Sequence, residues 1–192
     1  MQRGERQNQR TEVALTSAFS ELLQETNYGT ISIHTICQRA NVGRSTFYRH
    51  FGSKADLLVA MHREAFQRFA NVYASPTDWL TDQPPPYLVA FLRQRETYSD
   101  IPIASFYQFG NDIEYLMRKI DELLAATFLQ NLQDAFGEEI QQIPLPILAY
   151  SIAGSYGMIL RGWFTHQLSL TEEEVAASLQ KVVYAAIREA LG

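Results

Sequence analysis

The chain has one cysteine, Cys37, in 192 residues, so an intrachain disulfide is excluded. A lone thiol points to a reducing compartment, and the cytoplasm is the expectation. No apolar run approaches the ~18 residues that a membrane span needs, so no membrane partner is expected. The opening MQRGERQNQR has no apolar stretch behind its charges, and a secretory signal is not expected there. Metal-ligand spacing is also missing. There are four histidines, and His166 has no Cys or second His at ligand distance along the chain, so neither a metal nor a cofactor is expected. No nucleophile stands with a base, no paired carboxylates flank a histidine, and no phosphate-binding loop is present. An enzyme is therefore not expected. Repeats and alternating strand patterns are missing too, and the one biased tract is Pro84-Pro85-Pro86.

What remains is a packed chain, 46% hydrophobic and 19% charged, outside the range of disordered sequences. Its net charge of −5 hides an asymmetry. Residues 1–68 carry nine Lys and Arg against six Asp and Glu, whereas the remainder carries seven against fifteen. A basic front suits a polyanion, and an acidic back stays soluble beside one. Arg3, Arg6 and Arg10 form a basic arm for phosphate or minor-groove contacts.

Apolar residues recur at helical spacing throughout, predicting an all-α fold of about nine helices. They fall near residues 7–26, 33–40, 44–51, 54–73, 87–96, 101–110, 112–136, 147–167 and 172–191. Ser32 and Ser53 are placed to cap two of them, and Thr171 with Glu174 has capping-box spacing. Ser75-Pro76 and the proline cluster read as loops. The domain reading is 1–54 for one domain, a connecting helix 54–73, and 74–192 for a second.

The informative stretch is TISIHTICQRANVGRSTFYRHFGSK, residues 30–54. Two short helices joined by Asn41-Val42-Gly43 fit a helix-turn-helix. Ile33, Ile36 and Ala40 face inward from the first, Val42 plugs the turn, and Phe47 and Phe51 anchor the second by one face. The opposite arc shows Ser45, Thr46, Tyr48, Arg49 and His50, with Arg44 at its start. It is rich in hydrogen-bond donors and carries no carboxylate, as a surface meeting duplex DNA must be.

The run Ala40-Asn41-Val42-Gly43-Arg44-Ser45-Thr46-Phe47-Tyr48-Arg49-His50-Phe51, followed by Ser53-Lys54-Ala55-Asp56-Leu57-Leu58, resembles the amino-terminal domain of TetR/AcrR-type transcriptional regulators. The likeness extends from Arg10 to Lys54. Where that family often has Ala-Gly-Val-Ser at the turn, this chain has Asn41 and Gly43 in the second and fourth places. The resemblance implies phosphate contacts from Ser32, Tyr48 and Lys54, and a phosphate or base contact from Thr46. It places Arg44, Ser45, Arg49 and His50 where sequence is chosen, Arg49 first among them, with Lys54 as a pure phosphate contact. It also implies that the second domain binds a small-molecule effector and forms a homodimer.

The residues themselves suit those roles. Tyr98, Phe106, Phe109, Tyr150 and Trp163 are candidate cavity residues, since Tyr and Trp bring polar tips to an apolar site. Val175, Leu179, Val182, Val183, Ala186 and Ala190 make an apolar stripe. Ser151, Ala153, Gly154 and Gly157 give the preceding helix a small-residue surface. Together they suggest a four-helix interface with a second copy. The expected function is thus a ligand-responsive, homodimeric repressor on a near-palindromic operator. The alternative is a co-regulator of the same fold that acts through protein partners without binding DNA.

Overall fold

The computed structural model describes residues 2–93, 110, 112–164 and 167–192. Among these residues there are nine α-helices and no strand. They are α1 (Gln2–Glu25), α2 (Ile33–Arg39), α3 (Arg44–His50), α4 (Lys54–Ala70), α5 (Pro76–Trp79), α6 (Pro86–Arg93), α7 (Asp112–Phe136), α8 (Leu145–Phe164) and α9 (Glu172–Leu191). The helix expected over 101–110 lies outside the described residues, apart from Gly110.

The proline signals have a different outcome from the loops they suggest. Pro76, Pro86 and Pro146 each occupy the first turn of a helix. There the missing N–H has no intrahelical partner to lose, and the fixed φ already suits a helix. At α5 the Ser75 N–H and hydroxyl both donate to the Asp78 carboxylate, at 2.8 and 2.6 Å, closing a four-residue helix where the sequence reads as loop. At α9 the predicted box forms as expected: Glu174 N–H donates to Thr171 Oγ1, and Thr171 N–H donates to Glu174 Oε2.

The chain divides into two compact units, and the division falls inside α4. The first unit runs to Arg63 and takes in the start of α7 through Leu116, and the second holds residues 64–97 and everything from Met117. The reason is visible in α4. Ala55, Leu57 and Leu58 of its first turns are buried in the first unit, whereas Phe69 and Ala70 are buried in the second. The sequence reads this stretch as a connecting helix, without showing where along it the units divide.

In the first unit, Leu15, Ala18, Phe19 and Leu22 of α1 pack with Ile36 and Cys37 of α2 and Phe47 of α3, all nearly inaccessible to water. In the second unit, α9 packs along α8 and against α5 and α6. Its core is aromatic. Tyr73 lies 4.5 Å from Trp79 between ring centroids, and Phe128 contacts Tyr73, Trp79 and Tyr156. A polar chain runs through it: Tyr156 OH to Tyr73 OH at 2.5 Å, then Tyr73 OH to Gln180 Oε1 at 2.6 Å.

The two surfaces expected for a partner split between inside and outside. Val175, Leu179, Val183 and Ala190 are consumed within the unit, while Val182 stays 44% exposed. On α8, Ala153 is buried, and a Cβ added to Gly157 would collide with the Asp121 carboxylate on α7. Gly157 therefore serves packing inside the chain. Ser151 and Gly154 remain open to solvent, and nothing lies near the position of a Gly154 Cβ. Ile147, Tyr150 and Met158 stand 60, 64 and 68% exposed along the same helix.

Candidate nucleic-acid interface

The first unit builds its reading surface from local chemistry. Ser32 caps α2, its Oγ accepting from the Thr35 N–H at 3.1 Å. The helix ends when Ala40 N–H bonds Ile36 O and the chain reverses at Asn41, which takes φ +52°. Asparagine accepts this left-handed conformation better than other non-glycine residues. Val42 N–H then closes the turn onto Cys37 O at 2.9 Å. Gly43 has an ordinary φ of −69° and caps α3, its carbonyl accepting from Thr46 and Phe47. Only Asn41 needs the unusual backbone; Gly43 does not.

Phe47 fixes the roll of α3. It is fully buried, with ring centroids 5.5 Å from Tyr48 and 5.8 Å from Phe51. That seat leaves Arg44, Ser45 and Arg49 exposed, Thr46 half-buried, and Tyr48 51% exposed. These residues hold donors, and no carboxylate stands among them. Beside the turn lies an open cleft of about 530 Å³, lined by His34, Gln38, Asn41 and Arg44 among others. Arg39 belongs to the inner side. Its guanidinium is held by Glu25 at 2.7 Å and Glu21 at 3.3 Å on α1, so its charge is spent within the fold.

Two residues sit differently from the sequence reading. His50, expected on the exposed arc, is turned inward, its ring only 5% exposed with Nδ1 3.4 Å from Glu12 Oε1. The cause is helical spacing: three residues after Phe47, its side chain shares the buried face. Lys54, expected as a pure phosphate contact, has Nζ donating to the carbonyls of Tyr28 at 2.7 Å and Ile31 at 2.9 Å. It also lies 3.8 Å above the Tyr28 ring. Burial pushes its pKa down, and the nearby Asp112 opposes that. An ammonium has three donors, so one is left for an outside acceptor. Lys54 thus anchors the connection between α1 and α2 whatever else it touches.

The mounting of this surface was not legible in the sequence. Tyr28 OH donates to Asp112 Oδ2, and Tyr115 OH donates to Asp56 Oδ1, each at 2.5 Å. Burial and the Asp112 carboxylate together raise the Tyr28 pKa. Burial raises that of Asp56, but bonds from Tyr115, Ser53 and the Gly52 backbone outweigh it and leave the carboxyl below its usual value. These partners are 84 and 59 residues apart in sequence, beyond the reach of any local pattern.

The expected effector residues are scattered. Tyr98, Phe106 and Phe109 lie outside the described residues. Tyr150 stands on the surface of α8, and Trp163 is buried with Nε1 donating to Leu170 O at 2.7 Å. Among the described residues no group of His, Cys, Asp and Glu could hold a metal ion.

Residues 15–61 match the family described as bacterial regulatory proteins, tetR family. The amino-terminal domain is that of a TetR-family regulator. Over 134 residues, 68% of the chain, it is 25% identical to an uncharacterized HTH-type transcriptional regulator, YxbF, of Bacillus subtilis strain 168. The chain spans 34% of that relative's length. In fold it is similar to the TetR-family repressor AlkX of Dietzia sp. strain DQ12-45-1b, implicated in biodegradation of n-alkanes. The TM-score is 0.63 at 15% identity, over 93% of this chain and 98% of AlkX. RolR in complex with resorcinol gives a TM-score of 0.51 at 22% identity, over 96% of this chain and 95% of RolR. The amino-terminal stretch thus matches the tetR family, and the chain shares the fold of solved TetR-family proteins. None of its described helices is long and apolar enough to cross a membrane.

Proposed function

We propose that this protein is a cytoplasmic repressor that binds a near-palindromic operator as a homodimer and leaves it when a small molecule enters the second unit. The observation that carries the reading is the α3 surface: Arg44, Ser45, Tyr48 and Arg49 exposed together on a helix seated by Phe47. Duplex DNA accepts such a surface. Hydroxyls and guanidinium groups reach phosphate oxygens, and a guanidinium reads a guanine edge.

Pairing is supported by α8 and α9. Ile147, Tyr150 and Met158 on α8, with Val182 on α9, expose large apolar side chains beside the open positions Ser151 and Gly154. Small residues among large apolar ones let helices approach closely. Introducing a charge there is expected to separate the copies: Met158→Arg gives a monomer in sedimentation equilibrium and weakens operator binding, while helix content by circular dichroism stays the same. A variant that sediments like the parent protein moves the dimer face elsewhere.

Effector response is supported by the aromatic core of the second unit. It holds Tyr73, Tyr156, Gln180 and a buried Trp79 Nε1 with no hydrogen-bond partner among the described residues. Apolar walls with a few polar tips are what small molecules bind. RolR, similar in fold, has been solved with resorcinol.

Selection of bound sequences from a random duplex pool tests the reading. Two related half-sites with centres roughly 34–36 Å apart are expected, one for each recognition helix. Arg49→Ala is expected to cost about 1–3 kcal/mol at that operator and to relax one base pair in each half-site. If no duplex is enriched at low salt, the co-regulator alternative replaces DNA binding.

A further inference from the structure

We propose that the cleft beside the turn reads base edges, with Gln38 and Asn41 as specificity-determining residues next to Arg44. The proposal rests on the DNA-binding reading above and adds residues of α2 and the turn to those of α3. The cleft is open, holds about 530 Å³, and is lined by His34, Gln38, Asn41, Gly43 and Arg44. His34 and Gln38 stand one helical turn apart on one face of α2. Both are exposed, as are Asn41 and Arg44. Among the described residues, no Asp or Glu lines the cleft.

Two residues of the turn shape this cleft for reasons other than folding. Asn41 takes φ +52°. Glycine reaches that conformation at no steric cost, so the backbone alone is served better without a side chain. What asparagine adds is a carboxamide, at a position that lines the cleft. Gly43 is the opposite case. Its φ of −69° suits any residue, and a Cβ built there meets nothing closer than Ser45 Oγ at 3.8 Å. A serine at this place would cap α3. Glycine gives up that cap and leaves the rim of the cleft open. These are the two places where the turn departs from the family's frequent Ala-Gly-Val-Ser, so the cleft is a property of this chain.

The side chains choose between the two kinds of duplex surface. A phosphate asks only for donors. Arginine supplies donors alone, whereas the carboxamides of Gln38 and Asn41 each carry a donor and an acceptor on one planar head. That pairing matches the N6 and N7 edge of adenine in the major groove, and a guanidinium matches O6 and N7 of guanine. Carboxamides beside Arg44 therefore call for A·T pairs next to a G·C pair.

The experiment repeats the selection from a random duplex pool with the full chain and with Arg44→Ala, Asn41→Gly and Gln38→Ala. Asn41→Gly keeps the left-handed turn, and Gln38→Ala puts a strong helix former on an exposed face, so neither threatens the fold. Arg44→Ala is expected to lose a G·C preference in each half-site, and the carboxamide variants an A·T preference adjoining it. Each carboxamide variant is expected to bind the parent protein's operator roughly 5- to 150-fold more weakly. Its affinity for unrelated duplex and its salt slope are expected to stay the same, because a neutral side chain displaces no counterions. A selected motif identical to the parent's overturns the proposal, whether affinity is unchanged or falls equally on every duplex. Failure of the DNA-binding reading looks different: the parent protein itself then enriches no duplex, which overturns both readings. A parent that enriches an operator, with variants that enrich the same one, overturns this inference alone.

Discussion

Gln180→Leu is expected to destabilise the protein by about 3 kcal/mol, although leucine nearly matches glutamine in volume. The cost comes from what is left behind. Gln180 is fully buried, and Oε1 accepts the Tyr73 hydroxyl. Its Nε2 donates to the carbonyls of Thr81 at 2.7 Å and Asp78 at 3.3 Å. Because the amide oxygen can only accept, Tyr73 must donate to it, and Tyr156 must then donate to Tyr73. The order of the whole chain is set at one end. With leucine there, two carbonyls lose their donor, at about 1–3 kcal/mol for each one cut off from water. A loss of 3 kcal/mol lowers Tm by roughly 6–12 °C in a chain of this size. Thermal unfolding followed by tryptophan emission checks it, since Trp79 sits in the segment that Gln180 holds. Tyr73→Phe is expected to cost less, orphaning one acceptor and one hydroxyl, and Tyr156→Phe least. If Tyr156→Phe equals Gln180→Leu, the assigned donor order is wrong.

The second large effect is at Phe47. Phe47→Ala empties a fully buried site in a unit of few helices, and such truncations cost about 3–5 kcal/mol. Tyr48 packs edge-on against that ring, and the roll of α3 depends on it. Operator binding is expected to fall by roughly 100-fold or more, from the energy of the lost seat. Both tryptophans, Trp79 and Trp163, belong to the second unit and are essentially inaccessible to water. Their emission maximum is therefore expected to stay unchanged at 25 °C. A binding titration beside an emission spectrum decides the matter. A red shift that accompanies the lost binding would show that the units do not keep separate cores.

The fold was legible wherever chemistry is local. Asn41-Val42-Gly43 announces a turn, Thr171 with Glu174 announces a helix start, and the limits of α7 follow from its apolar spacing. The exposed arc of α3 was legible for the same reason. Phe47 and Phe51, four apart, state which side of α3 is buried, and Tyr48 and Arg49 follow. His50 was misread because the helical arc was drawn one residue too wide. The structural role of Lys54 was not legible, because the sequence does not show that two carbonyls, at Tyr28 and Ile31, converge on its ammonium. The point within α4 at which the two units divide was not legible, because an amphipathic helix looks continuous even when its two halves belong to different cores. Likewise the stripe through Val175, Leu179 and Val183 shows that a face is buried without naming what buries it. In this chain α8 and the unit's own core take most of it.

The single cysteine has a practical consequence. Cys37 sits beneath the turn, buried. Burial raises its thiol pKa, and the Arg44 charge opposes that without reversing it. A disulfide reagent attacks only exposed thiolate, so labelling must wait for α2 and α3 to part. The rate at which the native protein takes up such a reagent clocks that opening. A bound duplex that clamps the motif will slow the clock, giving a chemical stopwatch for operator occupancy that needs no added dye or engineered residue.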